Sequence, residues 1–141
     1  VFQGASQLTL DVKGRISVPT RHRDALQALC DARLTLTRHP DGCLLVYPRP
    51  RWESKREEIA RLPYAARALQ RLLLGSAIDL ELDSAGRLLI PSELRTAAGL
   101  ERDTMLLGMG EHFELWDAAR HASTEQTQLA TGLEAAAGFT F

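Results

Sequence analysis

The sequence predicts an α+β fold built from one supersecondary unit used twice. Asp11 to Pro19 read DVKGRISVP and Asp83 to Pro91 read DSAGRLLIP, so Asp11, Gly14, Arg15 and Pro19 recur 72 positions later as Asp83, Gly86, Arg87 and Pro91. Self-similarity at a fixed offset marks a repeated structural unit. Each copy is flanked by apolar residues that alternate with polar ones, the period of a half-buried strand, and each is followed by a short helical pattern and two further strand-like runs. Each repeat therefore reads strand, loop, strand, short helix, strand, strand.

In the first repeat Leu8 and Leu10 alternate with Gln7 and Thr9, and Ile16 and Val18 alternate with Ser17, which predicts two strands joined as a hairpin by the DVKGR loop. Asp11 can accept backbone N–H groups just ahead of it, and Gly14 can take the positive φ that closes the turn. Pro19 has no N–H for a ladder and ends the strand, while Thr20 is a candidate N-cap for a helix to about Cys30 with Ala25, Leu26 and Leu29 on its apolar face. Leu34 and Leu36 start a third strand, Pro40-Asp41-Gly42 is a turn, and Cys43 to Tyr47 returns as the fourth, stopped by Pro48.

Arg51 to Leu62 is helical and charged, Pro63 breaks it, and Ala65 to Leu74 resumes with Leu69, Leu72 and Leu73 on one stripe before Gly75 as the stop. In the second repeat Ile78, Leu80 and Leu82 alternate strictly, Leu88 and Ile90 match Ile16 and Val18, and Pro91-Ser92 opens a helix with Leu94 and Ala98 apolar and Gly99 closing it. Met105 and Leu107 suggest a strand, Gly108 and Gly110 a turn, and Phe113 to Trp116 the last strand. Asp117 can cap a helix to about Ala130, followed by a frayed tail. The expected organisation is a first repeat over 1–50, a helical connector over 51–75, a second repeat over 76–120 and a C-terminal helix and tail over 121–141.

With 45% hydrophobic and 25% charged residues in 141, the chain has an ordinary soluble composition and room for one sizeable core. No apolar run approaches the roughly 20 residues of a spanning helix, and the first residues lack the basic and apolar regions of a signal peptide; a cytoplasmic protein is expected. A net charge of −1 excludes a polybasic, sequence-blind nucleic-acid coat, so any such binding depends on where the arginines sit. Cys30 and Cys43 lack zinc-site spacing and read as packed thiols. His22, His39, His112 and His121 show no metal-ligand spacing, and neither a nucleophile elbow nor a phosphate-binding glycine loop is present; no cofactor and no catalysis are expected. Tyr47, Trp52, Phe113 and Trp116 read as packing aromatics.

As a bare turn, D-x-x-G-R needs only its aspartate and glycine. A turn does not require arginine after glycine, and an exposed ion pair contributes only ~0–1 kcal/mol, so Arg15 and Arg87 read as anion contacts. Arginine can pair bidentately with phosphate or with guanine O6 and N7. Lys13, Arg21 and Arg23 surround Arg15, with His22 among them, whereas Ala85, Ser92 and Glu93 stand where the first copy has Lys13, Thr20 and Arg21. The first loop is therefore expected to be the stronger contact. A carboxylate dyad of Asp11 and Asp83 is the weaker reading, since each already closes a turn.

The ordered series FQG, DVKGRISVPTRHR, CLLVYP with Trp52, QRLLLG, DSAGRLLIP and FELWD resembles the bacterial MraZ family over nearly the whole chain. The resemblance implies two swapped-hairpin units of the SpoVT/AbrB type, forming a pseudo-twofold β-barrel core with connecting helices. It implies a DNA-binding transcriptional regulator of the division and cell-wall gene cluster, its own operon, acting on repeated promoter boxes as a ring of about eight or more subunits at the nucleoid. The family's D-x-x-x-R signature falls on Asp11 with Arg15 and on Asp83 with Arg87, held by Gly14 and Gly86. The alternative from another class is an oligomeric scaffold that binds proteins through its charged helices.

Overall fold

The computed structural model describes residues 1–141. The first repeat comprises β1 (Ala5–Thr9), β2 (Arg15–Ser17), α1 (Thr20–Cys30), β3 (Arg33–Arg38) and β4 (Leu44–Pro48). A connector of α2 (Arg49–Ala60) and α3 (Arg67–Gly75) leads to β5 (Ile78–Glu81), β6 (Arg87–Leu89), α4 (Ser92–Ala97), β7 (Asp103–Gly108) and β8 (Phe113–Asp117). The chain ends with α5 (Ala118–Gly132) and a short 3₁₀ turn at Leu133–Ala136.

The expected hairpin does not form. After the DVKGR turn β1 and β2 part: β1 pairs antiparallel with β7 of the other repeat, and β2 pairs with β6. The second repeat does the converse, with β5 added to β3. A lone two-stranded hairpin is marginal in water. Exchange sets each first strand on the edge of a formed pair and places the buried faces of β2 and β6 over a common core. The result is a six-stranded sheet in the order β1-β7-β8-β4-β3-β5 and a two-stranded β2–β6 ribbon, the tandem swapped-hairpin arrangement. The sheet is not closed into a continuous barrel by hydrogen bonds; the ribbon covers its inner face, with Ile16, Val18, Leu88 and Ile90 in one cluster with Leu34, Leu36, Leu44, Val46, Leu106 and Leu115.

The registers fix the internal symmetry axis. Ile16 faces Leu88 at the centre of the ribbon, and Leu45 faces Glu114 at the centre of the sheet. Leu44 pairs with Leu115 on one side of that centre and Val46 with Phe113 on the other. Each central pair therefore joins equivalent positions of the two repeats, and the axis passes through both.

Local phases differ from the sequence reading at three places. The inward face of α1 is His22, Leu26 and Cys30, spaced four apart, while Ala25 and Leu29 face outward. On β7 the buried residues are Thr104 and Leu106 rather than Met105 and Leu107, and the Thr104 hydroxyl donates to the Leu8 carbonyl at 2.9 Å. Thr20 is the first residue of α1 and makes no cap bond; Pro19 holds the cap position. Gly75 is the last residue of α3, with Ser76 at its C-cap. Gln70 is the buried residue of that helix, its Nε2 donating to the Ile59 carbonyl at 2.8 Å and tying α3 to the end of α2. Asp117 caps α5 as expected, accepting from Arg120 N–H at 3.0 Å. Cys30 and Cys43 are buried free thiols, and burial pushes Cys43 up to about 12. Tyr47 and Trp52 pack with Ile59 and Leu45 under α2, on the outer face of the sheet.

Candidate nucleic-acid interface

Each repeated loop is closed by its aspartate. Asp11 Oδ1 accepts the backbone N–H groups of Lys13 and Arg15 at 2.9 Å each, and Oδ2 accepts Arg15 Nε at 2.8 Å. Asp83 repeats this with Ala85 N–H, Arg87 N–H and Arg87 Nε, all at 2.9 Å. Gly14 and Gly86 donate to their aspartates' carbonyls at 3.0 and 2.9 Å, with φ of +87° and +74°. These bonds favour the ionised carboxylate. The Arg15 N–H, followed by its guanidinium and the Lys13 N–H, holds Asp11 below the ordinary 3.8, and Arg87 and Ala85 do the same for Asp83.

Of the guanidinium, the aspartate engages only Nε. The terminal Nη groups of Arg15 and Arg87 make no hydrogen bond or ion pair within the chain, so the forked end of each guanidinium stays available to an anion or a base edge. The ribbon sets their placement. Ile16 and Leu88 point into the core, so Arg15, Ser17, Arg87 and Leu89 share its outward face. Arg15 pairs with Leu89 and Ser17 with Arg87, which makes the two arginines diagonal neighbours, roughly 7–8 Å apart at Cα.

The other basic residues do not gather around the first loop as the sequence suggested. Lys13 is exposed at the loop tip beside Gly14. Arg21 turns toward β1, its guanidinium lying 3.4 Å from Ser6 Oγ. Arg23 crosses the symmetry axis to the second loop: its Nη1 donates to the Ala85 carbonyl at 3.0 Å and its Nη2 to Thr20 Oγ1 at 2.8 Å. Its side chain covers Gly86, where an added Cβ would overlap Arg23 Cδ. The residue in the equivalent place over the first loop is Arg95, which the sequence reading missed. A Cβ on Gly14 would sit 2.7 Å from Arg95 Cζ. Applying the 72-residue offset to Arg23 lands on Arg95 and was the signal for it.

The loops also brace each other through the backbone. Val18 N–H donates to the Gly86 carbonyl at 3.0 Å, and Ile90 N–H to the Gly14 carbonyl at 2.8 Å. His22 stands apart from the basic surface, 5% exposed, with ring centroids 5.9 Å from Phe2 and 4.9 Å from Phe113. Two mutually braced turns thus hold two arginines, with their Nη groups free, on one face of a short ribbon.

The duplication is also visible in comparison with known proteins. The family model described as "MraZ protein, putative antitoxin-like" matches residues 1–74 and again 73–139. The Transcriptional regulator MraZ of Bordetella pertussis is 67% identical over 133 residues, 94% of each chain. That of Herminiimonas arsenicoxydans is 62% identical over the same span, and that of Ralstonia nicotianae is 60% identical over 142 aligned positions covering the whole of both chains. Two matched repeats and relatives similar from end to end show that the chain belongs to the MraZ family of transcriptional regulators.

Proposed function

We propose that the chain is a sequence-specific DNA-binding transcriptional regulator, not an enzyme, whose DNA-reading element is the outward face of the β2–β6 ribbon. The observation that carries the reading is the pair of arginines on that face, each guanidinium fixed by an aspartate at Nε with its Nη groups left free. The major groove admits a two-stranded ribbon, and a free guanidinium fork matches guanine O6 and N7 or a phosphate. Arg15 and Lys13 make the first contact and Arg87 the second, with Arg23 adding charge over the second loop and Arg21 flanking. Asp11, Gly14, Asp83 and Gly86 shape the loops.

The finer reading follows from the resemblance of the sequence. The DNA is a set of repeated boxes in the promoter of the division and cell-wall gene cluster, the protein's own operon. The protein meets it at the nucleoid, in the cytoplasm, as a ring of about eight or more copies. A near-neutral chain with two arginine contacts binds weakly alone, and linked copies raise the affinity by ~10²–10⁴. The test is a gel-shift titration on the protein's own upstream DNA at two salt concentrations. Wild-type binding should fall steeply with salt, and Arg15→Ala should lose it by about tenfold or more. Salt-insensitive binding, or full binding by Arg15→Ala, would overturn the reading in favour of a protein-binding scaffold.

A further inference from the structure

The two loops carry the same pair of cross-axis arginines in different states. Over the second loop, Arg23 is anchored by the Ala85 carbonyl and the Thr20 hydroxyl. Over the first, the Arg95 side chain makes no hydrogen bond and no ion pair within the chain, although it lies across Gly14, between the two basic residues Lys13 and Arg15. Its Nε is buried without a partner, as is that of Arg23, but its Nη groups are unbonded too, where those of Arg23 are held. Ser92 occupies the place of Thr20 and does not hold it. A guanidinium half-buried beside an anion-binding loop, with all its donors unused, lacks its acceptor.

We propose that Arg95, contributed by the second repeat, completes the first DNA-contacting loop by binding a phosphate of the DNA backbone. The proposal rests on the DNA-binding reading above. Arg95 covers the flank of the turn, whereas Lys13 stands at its tip and Arg15 on the outward face of the ribbon, so Arg95 meets the backbone beside the bases that Arg15 faces. The first loop therefore carries three cations, Lys13, Arg15 and Arg95, drawn from both repeats. Each repeat's basic helix residue serves the loop of the other repeat, the same exchange that the strands perform.

The test compares Arg95→Ala, Arg95→Lys, Arg15→Ala and the control Arg61→Ala, a connector substitution, on the upstream DNA across a salt series. Thermal melting and mass measurement confirm that each variant is folded and assembled. Arg95→Ala should weaken binding by about tenfold on every sequence tried, and should lower the slope of log affinity against log salt by about 0.9 per contact removed. Arg95→Lys should keep the slope, and Arg61→Ala should match wild type. An Arg95→Ala protein with wild-type slope overturns the proposal, whether its affinity is unchanged or has fallen together with its melting temperature. If Arg95→Ala does not fold, a folded Arg95→Lys whose slope falls by the same amount overturns it equally. Failure of the underlying reading looks different: Arg15→Ala then binds like wild type, or no protein binds at all.

Discussion

Gly14 and Gly86 are equivalent in sequence and in backbone conformation, yet what lies over them differs. A side chain at either position is forced into the left-handed region, which costs ~1–2 kcal/mol for an L-residue. Beyond that shared cost, a Cβ at Gly86 meets Arg23, whose guanidinium is pinned at both ends by Ala85 and Thr20. A Cβ at Gly14 meets Arg95, which has no bond to break and can swing aside. Gly86→Ala is therefore expected to be the more destabilising, by a further ~1 kcal/mol for the broken Arg23 bonds, as read by urea unfolding. For DNA binding the order should reverse. Gly14→Ala displaces Arg95 from the first loop and should weaken binding more than Gly86→Ala. Equal stability losses in the two variants would contradict the different anchoring of the two arginines.

At the scale of elements, α1 shows where the sequence was legible and where it was not. Its position and length could be read from Pro19 and the helical spacing, but its buried face could not. Leu29 looked like core because it is apolar, and His22 looked like part of a basic cluster because Arg21 and Arg23 flank it. The structure selects the stripe His22, Leu26 and Cys30 because Phe2 and Phe113, distant in sequence, supply the rings that the imidazole packs against. The same limit applied to the loop strands. Their alternation identified them as strands and the turn chemistry identified the turn, but neither reveals a partner, so β1 and β2 were joined where each pairs across the axis. The candidate site was legible at Asp11, Arg15, Asp83 and Arg87 because the repeat marks them; the placement of Arg21, Arg23 and Arg95 depended on the exchange. The buried His22 also predicts a pH effect. Burial, and next the neighbouring Arg21 charge, holds its pKa below the ordinary 6.5. Between the two values the unfolded chain binds more protons, so stability is complete above about 6.5 and falls as the pH drops toward the folded value. His112, lowered mainly by burial, adds in the same direction. The melting temperature of the wild type should decline from about pH 7 to about pH 5, and His22→Phe should decline less, keeping only the His112 share. An unchanged decline in His22→Phe would assign the acid sensitivity elsewhere.

For the whole molecule, the exchange implies that neither half is a complete fold, and the axis residues say which half can complete itself. In a dimer of a 1–75 fragment, Thr9 and Leu8 of one copy would meet Arg33 and Leu34 of the other, the places that Glu81 and Leu80 fill in the intact chain. The central pairs would become Ile16 with Ile16 and Leu45 with Leu45, all apolar. A 76–141 fragment faces a different situation. Glu81 would lie opposite Asp103, which faces Thr9 in the intact chain, and Glu114 would lie opposite a second Glu114 instead of Leu45. Like charges directly opposite on paired strands are destabilising by roughly 0.2–1 kcal/mol each, and the Glu81–Asp103 clash occurs twice in a symmetric dimer. In the intact chain Glu81 meets Arg33, an opposite charge, so its charge pattern favours joining unlike repeats and disfavours pairing the second with itself. Sedimentation equilibrium with circular dichroism should therefore find the 1–75 fragment as a folded dimer and the 76–141 fragment as an unfolded monomer. Mixing the two should draw the second into a folded heterodimer. A folded, monomeric 1–75 fragment would mean that β1 pairs within its own repeat, and that the exchange is a property of the joined chain rather than of the repeat itself.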